Sequence, residues 1–346
     1  MIKLTILFLC ALICVHVFLL CDALPPKPKP RDFQRWHNFK ARHSKLYKTV
    51  VDEIRRFNIF LENQIKIAEH NKRYKKGKES YELGTTVFSD LTEEEFSRIY
   101  LTHPTNHTRS TRKGFGSTPH VFPESIPDSK NWTAEGKVTP VKDQGPCGSC
   151  WAFSTAGAIE AHVAIASKKV KILSEQNLID CVGERDWVDN SCEGGLMEYG
   201  YQYVMENKGI ATKSSYPYQA EQGECQYKPD FKGATIKGYE SVEPDEEIMK
   251  KVVGTIGPVS VAIYNANLLQ HYTSGTFSNP KCGSTMRAGH ALLIVGYGTD
   301  ETGDYWLLKN SWSASWGMNG YFKLARNKDM CKISGYVHFP TGAKVA

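Results

Sequence analysis

The apolar residues of the chain fall into four textures, and each predicts a different kind of element. Residues 4–20 (LTILFLCALICVHVFLL) form an unbroken apolar run behind Lys3, closed by Cys21-Asp22-Ala23 and the Pro/Lys string Leu24–Pro30. From 31 to 100 long charged side chains dominate and proline is absent. Phe33, Trp36 and Phe39, then Phe57, Phe60 and Ile67, recur there at helical spacings, which predicts amphipathic helices with a polar outer face. Residues 101–124 lose that periodicity. His, Thr, Ser, Gly and Pro prevail, with Arg109, Arg112 and Lys113 among them, which predicts a flexible linker open to proteolysis. Beyond 125 comes one apolar helix candidate, Trp151–Ala166, followed by Gly/Pro/Tyr-rich loops. Short β-like runs then follow at Val259–Tyr264, Ala291–Tyr297, Tyr305–Lys309 and Gly320–Leu324. Helices first and strands later predict an α+β arrangement in two halves.

A short basic start, an apolar stretch and a small residue before polar sequence predict a secretory signal cut after Ala23. The alternative is a membrane anchor, which the shortness of the run disfavours, and no other stretch is long enough to span a bilayer. The 346 residues, 41% hydrophobic and 23% charged, suit folded cores and exclude collagen-like, coiled-coil and wholly disordered chains. The net charge of +6 is unevenly spread. Residues 1–125 hold 21 Lys and Arg against 13 Asp and Glu, whereas residues 126–346 hold 22 against 24. The basic excess therefore lies in the first third, and nothing in it asks for a nucleic-acid partner.

Secretion would place the chain in an oxidising compartment, and the cysteines then become informative. Removal of the signal takes Cys10, Cys14 and Cys21 and leaves seven: Cys147, Cys150, Cys181, Cys192, Cys225, Cys282 and Cys331. An odd count in an exported protein leaves one thiol without an intramolecular partner. The densest segment is Gln144-Gly-Pro-Cys-Gly-Ser-Cys-Trp-Ala-Phe153, where Cys150 opens the apolar run. A thiol in the first turn of a buried helix is favoured as thiolate by the helix dipole. Three plainer readings stand beside this one. Cys147 and Cys150 form a CxxC that a redox dithiol or half a zinc site would also show, although no second ligand pair is present; and a lone cysteine is most often structural.

A reactive thiolate needs a base, and four histidines follow residue 125. His162 lies twelve residues along the same helix, roughly 18 Å from Cys150 at 1.5 Å per residue. His271 reads as a surface residue and His338 as part of the C-terminal tail. His290 heads Gly-His-Ala-Leu-Leu-Ile-Val-Gly-Tyr-Gly, which puts a titratable ring at the mouth of a core strand. Asn310, in Lys309-Asn-Ser-Trp312, offers a side-chain oxygen to orient that ring, and Trp312 could cover the bond from water.

These residues resemble the papain-like cysteine proteases, closest to the cathepsin L group, whose C-G-[SA]-C-[WY] signature the segment at 147–151 matches. The resemblance implies Cys150 as nucleophile, His290 as base and acid, Asn310 as orienter, and Gln144 with the Cys150 backbone N–H as oxyanion donors. It also implies disulfides Cys147–Cys192, Cys181–Cys225 and Cys282–Cys331. The implied fold is the papain-like α+β one: a helical left domain, a β-barrel-like right domain and a cleft between them, preceded by a helical propeptide. The expected division is signal 1–23, inhibitory propeptide 24–124 and peptidase domain 125–346.

Two propeptide motifs support the resemblance, Asp52…Arg56…Phe60…Asn63…Ile67…Asn71 and Gly84-Thr-Thr-Val-Phe-Ser-Asp90. Asp52 stands there for the usual Glu and Thr86 for the usual Asn. Near the site Glu193 stands for Asn, Gly289 for Asp or Asn, and Ser313 for Gly. By resemblance the substrate backbone meets Gly195, and the pocket for the residue two before the cut (P2) is walled by Leu196, Met197, Ala262 and Ala288 and floored by Tyr336. Apolar walls predict a preference for Leu, Val or Phe at P2, and bulky Tyr336 a shallow pocket. The competing and less favoured reading is that Leu196 and Met197 are merely core. Trp316 is expected on the leaving side of the substrate.

The expected enzyme is a monomeric endopeptidase of the lysosome or the extracellular space that uses no metal or organic cofactor. Its partners would be protein and peptide substrates, its own propeptide and, by resemblance, cystatin-like inhibitors. Asn106 and Asn131 head glycosylation sequons. The competing readings are an inactive binding homologue, a dithiol oxidoreductase using Cys147 and Cys150, and an exopeptidase. The last is disfavoured by the lack of a His-rich insertion near the cleft.

Overall fold

A computed structural model describes residues 28–102, 121–182, 191–287 and 289–346. The proposed signal, residues 103–120 of the linker with Asn106, and Ala288 lie outside the described residues, whereas Leu101 and Thr102 at the head of that linker are ordered, Leu101 buried and Thr102 paired with Gly289. The chain divides into two compact units, meeting between Ile65 and Lys66. In the first, helix α1 (Pro30–Arg42) and the opening of α2 (Val50–Tyr74) bury Trp36, Phe39, Phe57, Phe60 and Leu61 around one aromatic cluster, with Tyr47 packed against it. The Trp36 ring lies 5.6 Å from Tyr47 and 5.3 Å from Phe60. These are the positions whose helical spacing marked the amphipathic face. Asp52 bonds back to Thr49 at the start of α2, where an acidic side chain also suits the helix dipole.

The second unit begins inside α2. It continues through strand β1 (Tyr81–Leu83), α3 (Glu93–Tyr100) and β2 (Lys130–Asn131), then through α4 (Cys150–Ser167), α5 (Glu175–Val182), α6 (Met197–Glu206), β3 (Ile210–Ala211), β4 (Lys232–Thr235), β5 (Gly238–Ser241) and α7 (Glu246–Thr255). Strands β6 (Val259–Ile263), β7 (Tyr272–Phe277), β8 (His290–Asp300), β9 (Gly303–Lys309), β10 (Tyr321–Ala325), β11 (Val337–Thr341) and β12 (Lys344–Val345) follow. The main sheet runs β1-β7-β10-β9-β8-β6-β11-β5, with β2 on β8, and a small sheet runs β12-β4-β3. The anticipated strands are present within a few residues at each end. Three helices were not anticipated: α5, α6 and α7. Helix α6 (MEYGYQYVME) reads as loop because Tyr and Gly are poor helix formers. It persists because Gly200 lets it approach α4 closely, a Cβ there meeting Thr155 at 2.8 Å.

Two elements position the site. Helix α4 has no continuous polar face, and each residue from Cys150 to Ala164 is buried, its few polar side chains such as Glu160 meeting internal partners. Strand β8 is a wall shared by two cores. Ala291, Leu293 and Val295 face the helical core with Trp151, Ile159, Leu178 and Val204, whereas Leu292 and Ile294 face the sheet core with Val261, Trp306 and Leu308. This period-two alternation feeds both cores from a run that is apolar throughout. Two cores sharing one wall are the papain-like arrangement expected of the sequence. No described helix is long and apolar enough to cross a membrane.

Two histidines lie otherwise than their local sequence suggested. His338 belongs to β11 and is buried, its ring 4.5 Å from that of Tyr336 and its Nε2 3.8 Å from a Glu198 carboxylate oxygen. His271 is 9% exposed, covered by residues 84–91, which are nearly two hundred positions away. Local polarity cannot register such long-range cover.

Candidate active site

Cys150 is the first residue of α4, with Ser149 as N-cap. The backbone N–H of Ala291, at the head of β8, donates to Cys150 Sγ at 3.3 Å, so the sulfur lies against the residue that follows His290. Antiparallel pairing places Lys309 of β9 opposite Leu293 of β8. Asn310, one step further, therefore comes level with the His290 end. His290 Nε2–H donates to Asn310 Oδ1 at 2.8 Å, which fixes the tautomer with its lone pair on Nδ1. That nitrogen is buried without a hydrogen-bond partner. The Trp312 ring stacks on the imidazole at 4.4 Å and 23° and shields the bond from water. Trp316, fully buried, stands edge-on behind Trp312 at 5.0 Å with its Nε1–H on the Leu269 carbonyl.

Gln144 is held from several sides. Its N–H donates to the Ser311 carbonyl at 2.8 Å, and its Oε1 accepts from Ser311 Oγ at 2.6 Å. Its Nε2 is thereby turned toward the cleft, where it donates to the Cys147 carbonyl at 2.8 Å and to the Tyr100 carbonyl at 3.1 Å. Thr102 exchanges backbone bonds of 2.9 Å with Gly289 in both directions and lies against Gly194. A Cβ on Gly289 would meet Thr102 Oγ1 at 2.9 Å, so glycine admits this close pairing. Residues 100–102 thus cross the cleft. Phe88 and Phe96 close it from above Trp312, at ring distances of 5.6 and 5.2 Å.

This enclosure sets the ionisation state. Burial pushes the Cys150 thiol up to about 11, outweighing the backbone N–H groups of Ala291, Trp151 and Cys150 itself. Burial likewise pushes His290 down to about 4 against the Asn310 bond. The helix end alone favours thiolate, but in the closed chain desolvation wins and both groups are neutral at pH 7.

Cys147 and Cys192, Cys181 and Cys225, and Cys282 and Cys331 are joined, with S–S distances of 2.10, 1.98 and 2.04 Å. Cys150 is the free cysteine among the described residues. Of the residues expected around the substrate, Gly195 lies on the Trp151 indole, 2.5 Å from where its Cβ would sit. Leu196 is the N-cap of α6, and Met197 is buried in the helical core. Ala262 N–H donates to the Tyr336 carbonyl at 3.1 Å, which makes those two neighbours. Ser313, in the place where the resembling family has Gly, takes φ of 66°, a value that glycine adopts without strain. Asn131 is exposed at the surface and bonds within its own turn.

The sequence did not single out Ser311, Ser149 and Tyr218, which brace Gln144 and the start of α4. Ser311 could have been noticed as the neighbour of Asn310. Tyr218 carries no local signal.

Residues 126–341 match the family model for papain family cysteine proteases, and residues 36–96 match the cathepsin propeptide inhibitor domain. A cathepsin L-like peptidase of Aedes aegypti is 42% identical over 316 residues, 89% of this chain and 92% of that one. Procathepsin L of Mus musculus is 37% identical over 341 residues, 97% of this chain and 98% of that one. The structure of digestive procathepsin L 3 from the Tenebrio molitor larval midgut superposes with a TM-score of 0.81 at 36% identity, covering 90% of this chain and all of that one. A peptidase match over more than half the chain, preceded by an inhibitor-domain match, leaves one assignment: the chain belongs to the papain family of cysteine proteases, as a cathepsin L-like zymogen carrying its own propeptide inhibitor domain.

Proposed function

We propose that the chain is a secretory-pathway endopeptidase, destined for the lysosome or the extracellular space, that cleaves beside apolar P2 residues. Cys150, His290, Asn310 and Gln144 would carry out the chemistry. The observation that carries the mechanism is the convergence of α4 and β8, which sets Cys150 Sγ on the Ala291 N–H while Asn310 and Trp312 clamp the adjacent imidazole.

Once the cleft is vacated, water returns and the thiol proton passes to His290 Nδ1. Sγ then bonds to the scissile carbonyl carbon, and the oxyanion takes the N–H of Gln144 released from Tyr100, with the Cys150 backbone N–H; one such donor is worth about 3 kcal/mol elsewhere. The C–N bond breaks as imidazolium protonates the leaving amine. Water then attacks the thioester carbonyl, gives its proton to His290 and frees the acid.

The three disulfides and the apolar start at 4–20 support an oxidising compartment. Met197, Ala262 and Tyr336, which belong to one apolar cluster, support the apolar pocket. Peptides with Leu or Phe at P2 should be cleaved at least about tenfold faster than their Arg counterpart, because an apolar pocket leaves a guanidinium unpaired. Equal kcat/KM for the Arg peptide would overturn this preference.

Release of the propeptide is proposed to be acid-driven, and His271 is a concrete trigger. Its Nδ1 meets Ser89 Oγ at 3.3 Å and its carbonyl accepts from Gly84 N–H at 2.8 Å, while its Nε2 is buried without a hydrogen-bond partner. Gln270 beside it donates to the Phe88 and Leu91 carbonyls, both at 3.0 Å. Burial and the nearby Lys66 hold His271 down to about 4 from 6.5. A lowered pKa means that the closed state prefers the neutral ring. Its advantage is therefore whole above pH 6.5, fades as the pH falls and is fully lost below about 4. His271→Phe should flatten the rise in self-processing rate across this window. A profile unchanged from the parent would remove His271 as the trigger.

A further inference from the structure

We infer that Tyr218 is a positioning residue of the oxyanion hole: its phenol ties the Gln144 loop to the residue ahead of Cys150 and so fixes the two oxyanion donors relative to each other. The inference rests on the catalytic reading of Gln144 and Cys150 given above. The two donors lie six residues apart, one a side chain on a glycine-rich loop and the other the N–H where that loop passes into α4. Tyr218 bridges them. Its hydroxyl donates to the Gln144 carbonyl oxygen at 2.6 Å, and its oxygen lies 2.7 Å from Ser149 Oγ. A phenol has one proton, so with that proton on Gln144 the Ser149 hydroxyl is the donor in the second bond. The Tyr218 ring meets Phe153, one turn into α4, edge-on at 5.0 Å.

Tyr218 is itself anchored away from the cleft. Gln219 N–H donates to Gln176 Oε1 at 2.8 Å, Gln176 Nε2 donates to the Glu221 carbonyl at 2.7 Å, and the disulfide Cys181–Cys225 closes the segment onto α5. The restraints on Gln144 are thus divided. Ser311 holds its side-chain amide and its N–H, whereas Tyr218 ties its carbonyl to the start of α4. Burial raises the ionisation of the phenol well above its ordinary value, so the donated bond persists over the whole working range.

Tyr218→Phe keeps the ring against Phe153 and removes only the bridging oxygen. The donors would then hold the ground-state carbonyl as before but meet the oxyanion less well aligned, a loss confined to the transition state. In enzyme produced by acid processing of the full chain, Tyr218→Phe should lower kcat about tenfold, the size expected for losing one or two hydrogen bonds, with KM within about twofold. In a Gln144→Ala background, where one donor is already absent, the same substitution should cost less than about twofold. Binding of a peptide aldehyde, whose thiol adduct carries the oxyanion, should weaken by the same tenfold, while a cleaved peptide product binds unchanged. An unaltered kcat, a change in KM alone, or an equal loss in both backgrounds would overturn the assignment. Should Tyr218→Phe fail to fold, Ser149→Ala cuts the bridge from its other end and must show a smaller loss that also vanishes beside Gln144→Ala. A parent protein without thiol-dependent peptidase activity would instead overturn the catalytic reading beneath it.

Discussion

Replacing Cys150 by alanine is expected to lower kcat/KM for peptide hydrolysis by about ten-thousand-fold or more, the loss seen when a catalytic unit is deprived of its nucleophile. The substitution removes one buried sulfur at the first residue of α4, where Trp151 and Ala152 continue the helix unchanged, so the fold should persist. The neighbouring cysteine cannot substitute. Cys147 is bonded to Cys192, which also deprives the CxxC of the free pair that dithiol exchange requires. The same variant, held alone at pH 4.5, should remain full-length while the parent shortens itself. Substantial hydrolysis by the purified variant would show that another group attacks the peptide, and conversion at the parent's rate would show that the chain does not mature itself.

The second large effect concerns the closed chain. With the thiol at about 11 and the imidazole at about 4, only about one molecule in ten thousand carries thiolate at pH 7. Alkylation of Cys150 by a small haloacetamide should therefore be slower in the zymogen than in the processed enzyme by about two to four orders of magnitude. Its rate in the zymogen should climb about tenfold per pH unit through the neutral range, without a plateau. Processing should bring a plateau at neutral pH, because the rehydrated sulfur keeps its charge beside imidazolium. A zymogen that labels as fast as the mature enzyme would mean that water already reaches the sulfur. Opening the cleft moves a proton from sulfur to imidazole and takes up none from solution, so the dyad cannot be the acid trigger. Acid-driven release, as proposed above, would need a group whose protonation changes with it, and the buried His271 at the 84–91 contact fits that role.

Much of this molecule is local. The period of Trp36, Phe39, Phe57 and Phe60 defined an amphipathic pair of helices. The apolar run after Cys150 marked a buried helix, and odd cysteine parity marked an unpaired thiol. The Cys, His and Asn motifs each carry their chemistry in their own neighbours, and the family match followed from them. Helices such as α5 did not show, because their polar residues are satisfied by partners far along the chain. Gln176, for example, reaches the Glu221 carbonyl.

What the sequence determined by itself is therefore the inventory: which groups can react, which segments are helix or strand, and which family the chain resembles. Only the tertiary structure decided their state. It put Tyr100 and Thr102 across the cleft, covered His271, and braced Gln144 through Tyr218 and Ser311. The physical reason is that ionisation and alignment depend on how much water is excluded and on what faces each atom. Both are set by residues that meet only after the chain has closed on itself.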